Sequence, residues 1–342
     1  MIQQPMDSLR YWLRAKWQEL PVCSFYHDLN CLSGLGDRLV DVWAVTAIAD
    51  LHQTNAKIGV LWERNGDRPQ GMLRTYDTDL IRIDNCTFIP RMPKGSVKLE
   101  KYCSDHDKID ECFLPLPAGA HQIVLRQGHT WGNSCADKLH RDAKYYHLAT
   151  NIGFDQFVTS YRKAAKSTKP AEPIARALPD DLQKRVGVHV RLTDKVVADE
   201  NETEMTKDTW RSIEAAGMCY IDRCIEKNEG FFVCSDDPEY RGRLVKEIRQ
   251  RGGDVIDIDY QKAPTGLRGC EAIVDFFALT RCARILKMTK YSTFSIAAAI
   301  AGNKQLIHLA DAAGKGRNRL DIWRSTLDVL DFDSTKSPSP PN

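Results

Sequence analysis

The chain has 342 residues, 42% hydrophobic and 27% charged, and its 48 basic side chains nearly balance 46 acidic ones, for a formal net charge of +2. That composition suits a globular protein with one large core or two ordinary ones, and it gives no support to a polyanion-coating surface. No run approaches the ~18 consecutive apolar residues that a membrane-spanning helix needs.

The first twenty residues lack the uninterrupted apolar stretch of a signal peptide. Leu9, Trp12, Leu13 and Trp17 instead fall at helical spacing, which predicts an amphipathic helix lying on a first domain. The eleven cysteines are scattered, with no CxxC pair. Structural metal sites need closely spaced thiolate or imidazole ligands, so no metal is expected. Cys219 and Cys224 fall in a helical pattern and read as two core thiols, and the odd count favours reduced thiols. The chain is expected to be cytoplasmic if complete. The Golgi lumen, where the sequons at Asn85 and Asn201 would matter, fits a chain lacking its anchor.

Next come apolar, β-branched runs separated by helical patterns. The strand candidates are "AKIGVLW" (56–62), "HQIVLRQ" (121–127), "RVGVHVRL" (185–192), "GFFVCSDD" (230–237), "GDVIDID" (253–259) and "KQLIHLA" (304–310). Helical periodicity covers 38–53, 209–227, 238–252 and 270–286. Strand and helix in alternation predict parallel sheets flanked by helices. The stretch 161–181, with three prolines and clustered charge, reads as a connection. The expected division is therefore a first α/β domain at 1–165, a linker at 166–180, a second α/β domain at 181–330 and a disordered, low-complexity tail at 331–342.

Several short segments carry candidate chemistry. In "LSGLGDRL" (32–39), Gly34 and Gly36 would let the backbone turn tightly ahead of a helix whose first amides favour anions. The glycine pattern is not that of a dinucleotide fold, because Leu39 stands where the third glycine belongs. In "GVHVRLTDKV" (187–196), Arg191, Asp194 and Lys195 crowd the end of a strand, where parallel α/β sheets bind ligands. An arginine can grip a phosphate bidentately, whereas a lysine acts as a point charge. A solvated strand end is the alternative reading.

Ser292, Thr293 and Ser295 precede a small-residue helix that stops at Gly302-Asn303; they can cap it or hold a phosphate there. Asp275 lies mid-helix among apolar neighbours, where an unpaired carboxylate is costly. Such a carboxylate can accept the paired N–H donors of guanine, or simply face solvent. In "SDDP" (235–238), Asp236 or Asp237 is expected to cap the following helix. Arg126, His129 and Trp131 follow a first-domain strand and would suit an acceptor sugar in a cleft.

Taken in order, these segments resemble the fucosyltransferases that include the core α1,6-enzymes and the bacterial nodulation-factor enzymes. "GVHVRLTDKV" resembles the HxRxTDK segment, "SDDP" the DDP turn, "GLRGCEAIVDFFALTRCARIL" (266–286) the LRG…D helix and "STFS" (292–295) the TFS motif, while "GLGDRL" (34–39) is similar to the G-x-G-D-x-L opening of the nodulation enzymes. The resemblance covers most of 30–310. It implies a GT-B fold, two Rossmann-like domains with parallel sheets facing an interdomain cleft. It also implies inverting, metal-independent transfer of fucose from GDP-fucose to a glycan hydroxyl, without a cofactor.

By position, the resemblance implies that Arg191 stabilises the departing β-phosphate and that His189 and Asp275 contact guanosine. Asp194 would organise the pocket, while Ser292, Thr293, Phe294 and Ser295 hold phosphate. Gly34, Gly36 and Asp37 would lie beside the nucleotide sugar. Lys195 with Asp199, or the adjacent Glu200, would handle the acceptor proton. The partners implied are a nucleotide sugar and a glycan acceptor, with no nucleic acid and no membrane span. Leu192 stands where the core enzymes have a second arginine. The alternatives are another nucleotide sugar on the same fold, or a nucleotide- or glycan-binding module without catalysis.

Overall fold

A computed structural model describes Cys23 and residues 25–28, 34–52, 57–62, 79–89, 97–99, 123–126, 154–193, 196–197, 205–258, 260, 270–289, 292–309 and 329–331. The expected N-terminal helix and most of the C-terminal tail lie outside these residues. Two compact units divide the chain; the described part of the first runs to Ala171, and that of the second begins at Glu172.

The first unit carries a parallel five-stranded sheet built from β1 (Phe25–Asp28), β2 (Ile58–Leu61), β4 (Cys86–Phe88), β5 (Val97–Leu99) and β6 (Ile123–Arg126), in the order β4-β2-β1-β6-β5. The helix α1 (Leu35–His52) follows β1. It buries Leu39, Val42, Trp43 and Ala47 completely. The second helix, α2 (Phe154–Lys166), packs against α1. Trp43 and Tyr161 meet edge to face at 5.9 Å, and the Trp43 indole N–H donates to Thr168 Oγ1 at 2.8 Å. Asp50 on α1 accepts from Ser160 at 2.9 Å and pairs with Lys163 at 3.2 Å. A short antiparallel pair, β3 (Ile81–Arg82) with β7 (Lys169–Pro170), completes the unit.

The stretch 161–181, read from sequence as a connection, is ordered here. It contains the second half of α2, β7 and the helix α3 (Glu172–Ala177). Its lysines and prolines obscured buried positions at Tyr161, Ala165, Ala171 and Ile174.

The second unit holds a six-stranded parallel sheet: β8 (Arg185–Val190), β11 (Gly230–Ser235), β12 (Val255–Ile256), β13 (Arg284–Met288), β14 (Gln305–His308) and β15 (Val329–Asp331). The spatial order is β12-β11-β8-β13-β14-β15. Numbered along the chain within this sheet, that is 3-2-1-4-5-6, the order of doubly wound nucleotide-binding folds. A separate two-residue pair, β9 (Val196–Val197) with β10 (Met205–Thr206), precedes the first long helix.

Side-chain alternation on β8 decides which helices cover which face. Val186, Val188 and Val190 share one buried cluster with α4 (Lys207–Glu226) and α5 (Pro238–Gln250). Gly187 points the other way, so that a Cβ there would lie 2.7 Å from Leu279 Cδ2 and 3.1 Å from Cys282 Sγ. Only glycine lets β8 approach α6 (Glu271–Arg281) this closely. The last helix, α7 (Phe294–Gly302), is closed by Asn303 in the left-handed region at φ 51°, as the Gly-Asn stop signal predicts.

Three expectations need correction. The 270–286 helix ends at Arg281, and Arg284 onward is β13, a central strand. Because β13 is covered on both faces, "RILKM" shows no alternation and continues the apolar helical pattern before it. Asp331, assigned from sequence to a disordered tail, ends β15 and pairs in register with His308. Cys219 is exposed while Cys224 is buried. Five residues along a helix turn the side chain by ~140°, so the two thiols cannot share a core face.

Candidate functional site

In a sheet ordered 3-2-1-4-5-6, the chain leaves its two central strands in opposite directions, opening a crevice beyond their carboxyl ends. Here those strands are β8 and β13. Their continuations run side by side: Thr289 Oγ1 lies 3.5 Å from the Arg191 carbonyl. The segments that follow β8 and β13 therefore meet at one end of one sheet.

His189 is the penultimate residue of β8 and is only 5% exposed. In register it lies between Cys234 on β11 and Lys287 on β13. Its ring stands 5.2 Å from that of Phe294, the first residue of α7, and Phe294 meets Phe276 of α6 edge to face at 5.9 Å. Strand β8, helix α6 and helix α7 thus converge through three rings. Burial, reinforced by the positive charges of Lys287 and Arg191, holds the His189 pKa down at about 3. The imidazole is neutral at physiological pH, and its Nδ1 has no hydrogen-bond partner.

The start of α7 offers a second unsatisfied group. Ser295 is fully buried and its hydroxyl lacks a partner. Ser292 Oγ accepts from the Phe294 amide at 3.3 Å, whereas Thr293, at the N-cap position, makes no side-chain capping bond. Plain capping therefore accounts for Ser292 alone. Two orphaned polar atoms, His189 Nδ1 and Ser295 Oγ, sit at the end of the sheet where ligands bind in such folds.

Asp275 keeps a partly exposed surface, yet its carboxylate is enclosed enough that burial raises its pKa to about 7. It does not simply face solvent. The phenol of Tyr260 donates to its Oδ1. Arg241, on α5, lies 4.7 Å from the centre of the Tyr260 ring and pairs with Asp257 at 2.5 Å. The positive charge of Arg241 and the hydrogen bond oppose the rise, while Glu271 and Asp257 add to it.

The "SDDP" turn divides its two carboxylates between two tasks. Asp237 caps α5, accepting from the Glu239 and Tyr240 amides at 2.9 Å each. Asp236 reaches across to the turn after β8, accepting from the Leu192 amide at 2.8 Å, the Thr193 amide at 3.2 Å and the Thr193 hydroxyl at 2.5 Å. It fixes the backbone immediately beyond Arg191. Leu192 itself packs against the hydrophobic cluster of β8, α4 and α5. Leu192 is thus an apolar anchor for this turn.

In the first unit, Gly34 precedes α1 and Gly36 already lies within it; neither has a positive φ. The residues that lead into Gly34, 29–33, lie outside the described residues. Asp37 sits in the first turn of α1, where a carboxylate complements the helix dipole. Arg38, which no motif singled out, is buried and donates to the Trp62 carbonyl at 2.6 Å while lying 5.4 Å over its ring. It ties the start of α1 to the end of β2.

Asp194, Lys195, Asp199, Glu200, His129 and Trp131 lie outside the described residues, as does the side chain of Arg126 at the end of β6. Tyr260, Arg241 and the reach of Asp236 were missed from sequence, since no spacing rule links positions brought together only by the fold. Among the described residues, no three His, Cys, Asp or Glu side chains stand together as metal ligands. No described helix is long and apolar enough to cross a membrane.

No protein-family model and no curated protein sequence matches the chain. Solved structures do resemble it. A variant of Arabidopsis thaliana FUT1 in complex with GDP aligns with 92% of this chain and 75% of its own at 14% identity and a TM-score of 0.50. The Bradyrhizobium fucosyltransferase NodZ covers 80% of this chain and 92% of its own at 15% identity and 0.46. The E. coli heptosyltransferase WaaC covers 83% and 87% at 11% identity and 0.40. The likeness to the plant protein, taken with the two parallel sheets, assigns the fold: it is GT-B, with two Rossmann-like α/β units.

Proposed function

We propose that the protein is an inverting, metal-independent glycosyltransferase that moves fucose from GDP-fucose to a glycan hydroxyl. The observation that carries the reading is the convergence at the crevice of the second sheet. His189 at the end of β8, Phe294 and Ser295 at the start of α7, and Phe276 beside Asp275 on α6 form one cluster. Arg191 follows directly, its backbone held by the turn that Asp236 anchors.

The chemistry of these groups suits a nucleoside diphosphate. An enclosed carboxylate on α6 offers the acceptor that guanine's adjacent N–H donors require. A neutral imidazole at the end of β8 contributes surface and a lone pair without adding charge. Arg191 supplies the charge that a departing diphosphate needs, and the amides at the start of α7 add a positive dipole end. Lys195 with Asp199 or Glu200 is proposed to take the proton from the attacking acceptor hydroxyl, and Asp194 to orient the pocket. Transfer would then be a single displacement: the acceptor oxygen bonds to the anomeric carbon as the bond to GDP breaks.

Donor hydrolysis tests this without knowledge of the acceptor. Incubated with a panel of GDP- and UDP-sugars, the protein should release GDP from GDP-fucose in preference to the rest, and Arg191→Ala should lower that rate by at least ~100-fold while the protein stays folded. Wild-type-like turnover by the Arg191→Ala protein would sink the assignment. GDP binding without any turnover would favour a binding module.

A further inference from the structure

Asp275 is not vacant. The Tyr260 phenol donates to its Oδ1, Arg241 lies over the phenol ring at 4.7 Å, and Asp257 holds Arg241 at 2.5 Å. Three side chains from two parts of the chain thus keep one hydroxyl on the carboxylate that best suits a base. We infer that Tyr260 is a built-in occupant of this carboxylate, an autoinhibitory contact that a nucleotide must displace before its base can bind. The inference rests on reading the site as one for a guanine nucleotide, and it adds a residue that sets how tightly the site takes its ligand.

The physical argument is competition for one acceptor. A phenol offers a single donor, whereas the edge of guanine offers two adjacent ones, N–H and amino, in the plane of the carboxylate. The base therefore wins, but only after the Tyr260 bond is broken. Apparent affinity falls in proportion to the fraction of molecules whose carboxylate is open. A hydrogen bond to a charged acceptor corresponds to about tenfold or more in that fraction. Arg241 strengthens the hold, because a cation over a ring face fixes the ring that carries the hydroxyl. The groups facing Asp275 are Tyr260 and Asp257 from the chain after β12, Arg241 from α5, Cys234 from β11 and Glu271 from its own helix. Tyr260 and Arg241 support the charged carboxylate, while Asp257 and Glu271 oppose it.

The test is calorimetric titration of the full chain with GDP and with ADP at pH 8.5, comparing wild type, Tyr260→Phe and Tyr260→Leu. Removal of the hydroxyl should tighten GDP binding about tenfold in both variants and leave ADP binding unchanged, since adenine has no such donor pair. Equal or weaker GDP binding by Tyr260→Phe overturns the inference. Weaker binding by Tyr260→Leu with Tyr260→Phe unchanged also overturns it, because the ring would then be a platform for the base. If wild type and both variants all fail to bind GDP, the guanine reading falls and this inference with it. If wild type binds GDP and the phenylalanine variant binds no better, only the inference falls. Melting curves of each variant confirm that the folded protein is being compared.

Discussion

His189 links burial to pH. Its folded pKa of about 3 lies below the ~6.5 of an unfolded histidine. An unfolded chain therefore takes up a proton below pH ~6.5 that the folded chain refuses until about pH 3. Stability from this residue is fully present above pH 6.5 and is lost as the pH falls toward 3. At pH 5 the loss amounts to about 2 kcal/mol. Asp275 runs the other way: its pKa, raised to about 7, adds stability as the pH falls from 7 toward 4. The two would partly cancel in a simple pH scan, so a difference isolates the histidine. Urea unfolding of wild type and His189→Gln should show their stability gap shrinking by about 2 kcal/mol between pH 7 and pH 5. A gap that is constant with pH would mean that His189 titrates like an exposed histidine. Any uniform cost of the substitution drops out of the comparison, and only the slope counts.

At the scale of elements, the turn after β8 is fixed from outside itself, by Asp236 on the neighbouring β11–α5 connection. Asp236→Ala removes two acceptor oxygens and three hydrogen bonds at once. Amide exchange at Leu192 and Thr193 should then accelerate by about tenfold or more, and transfer should fall because Arg191 loses its fixed backbone. Asp236→Asn keeps one acceptor oxygen and should lie between the two proteins; exchange no faster than wild type in the alanine variant would refute the anchoring role. Legibility from sequence varied element by element, for physical reasons. The strands β8, β11 and β14 stood out because their apolar, β-branched runs are bounded by turn residues. The helices α1, α4 and α5 showed a clear 3.6-residue period. Strand β13 was hidden, since a strand buried on both faces has no alternation and its apolar run extended that of α6. Strand β1, "FYHD", is too short and polar to announce itself. At the site, His189, Arg191, Asp275 and the 292–295 segment were visible as motifs. Tyr260, Arg241 and the crossing carboxylate of Asp236 were not, because each acts on a residue 15 to 44 positions away.

Over the whole second unit, charge is arranged differently at the two ends of the sheet. At the amino ends of the strands, Arg185 is held by Asp181 at 2.9 Å and pairs with Asp254 at 2.9 Å. Arg284 opens β13 and is tied to Glu229 and, at 2.7 Å, to the Tyr220 hydroxyl. These cations are neutralised within the fold and have a structural task. At the carboxyl ends, the polar atoms His189 Nδ1 and Ser295 Oγ have no partner, and the strand order 3-2-1-4-5-6 opens its crevice there. Buried polar groups left unpaired are costly, so a ligand that pairs them should stabilise that end selectively. Hydrogen–deuterium exchange with and without saturating GDP measures this directly. Peptides covering 189–193 and 292–298 should gain several-fold protection, while those covering 182–186 and 226–231, at the amino ends, should not change. The asymmetry follows from topology rather than from any single contact, so it should survive substitution of Tyr260. Protection at the amino ends, or none at either end under conditions where GDP binds, would mean that the nucleotide sits elsewhere than the crevice between β8 and β13.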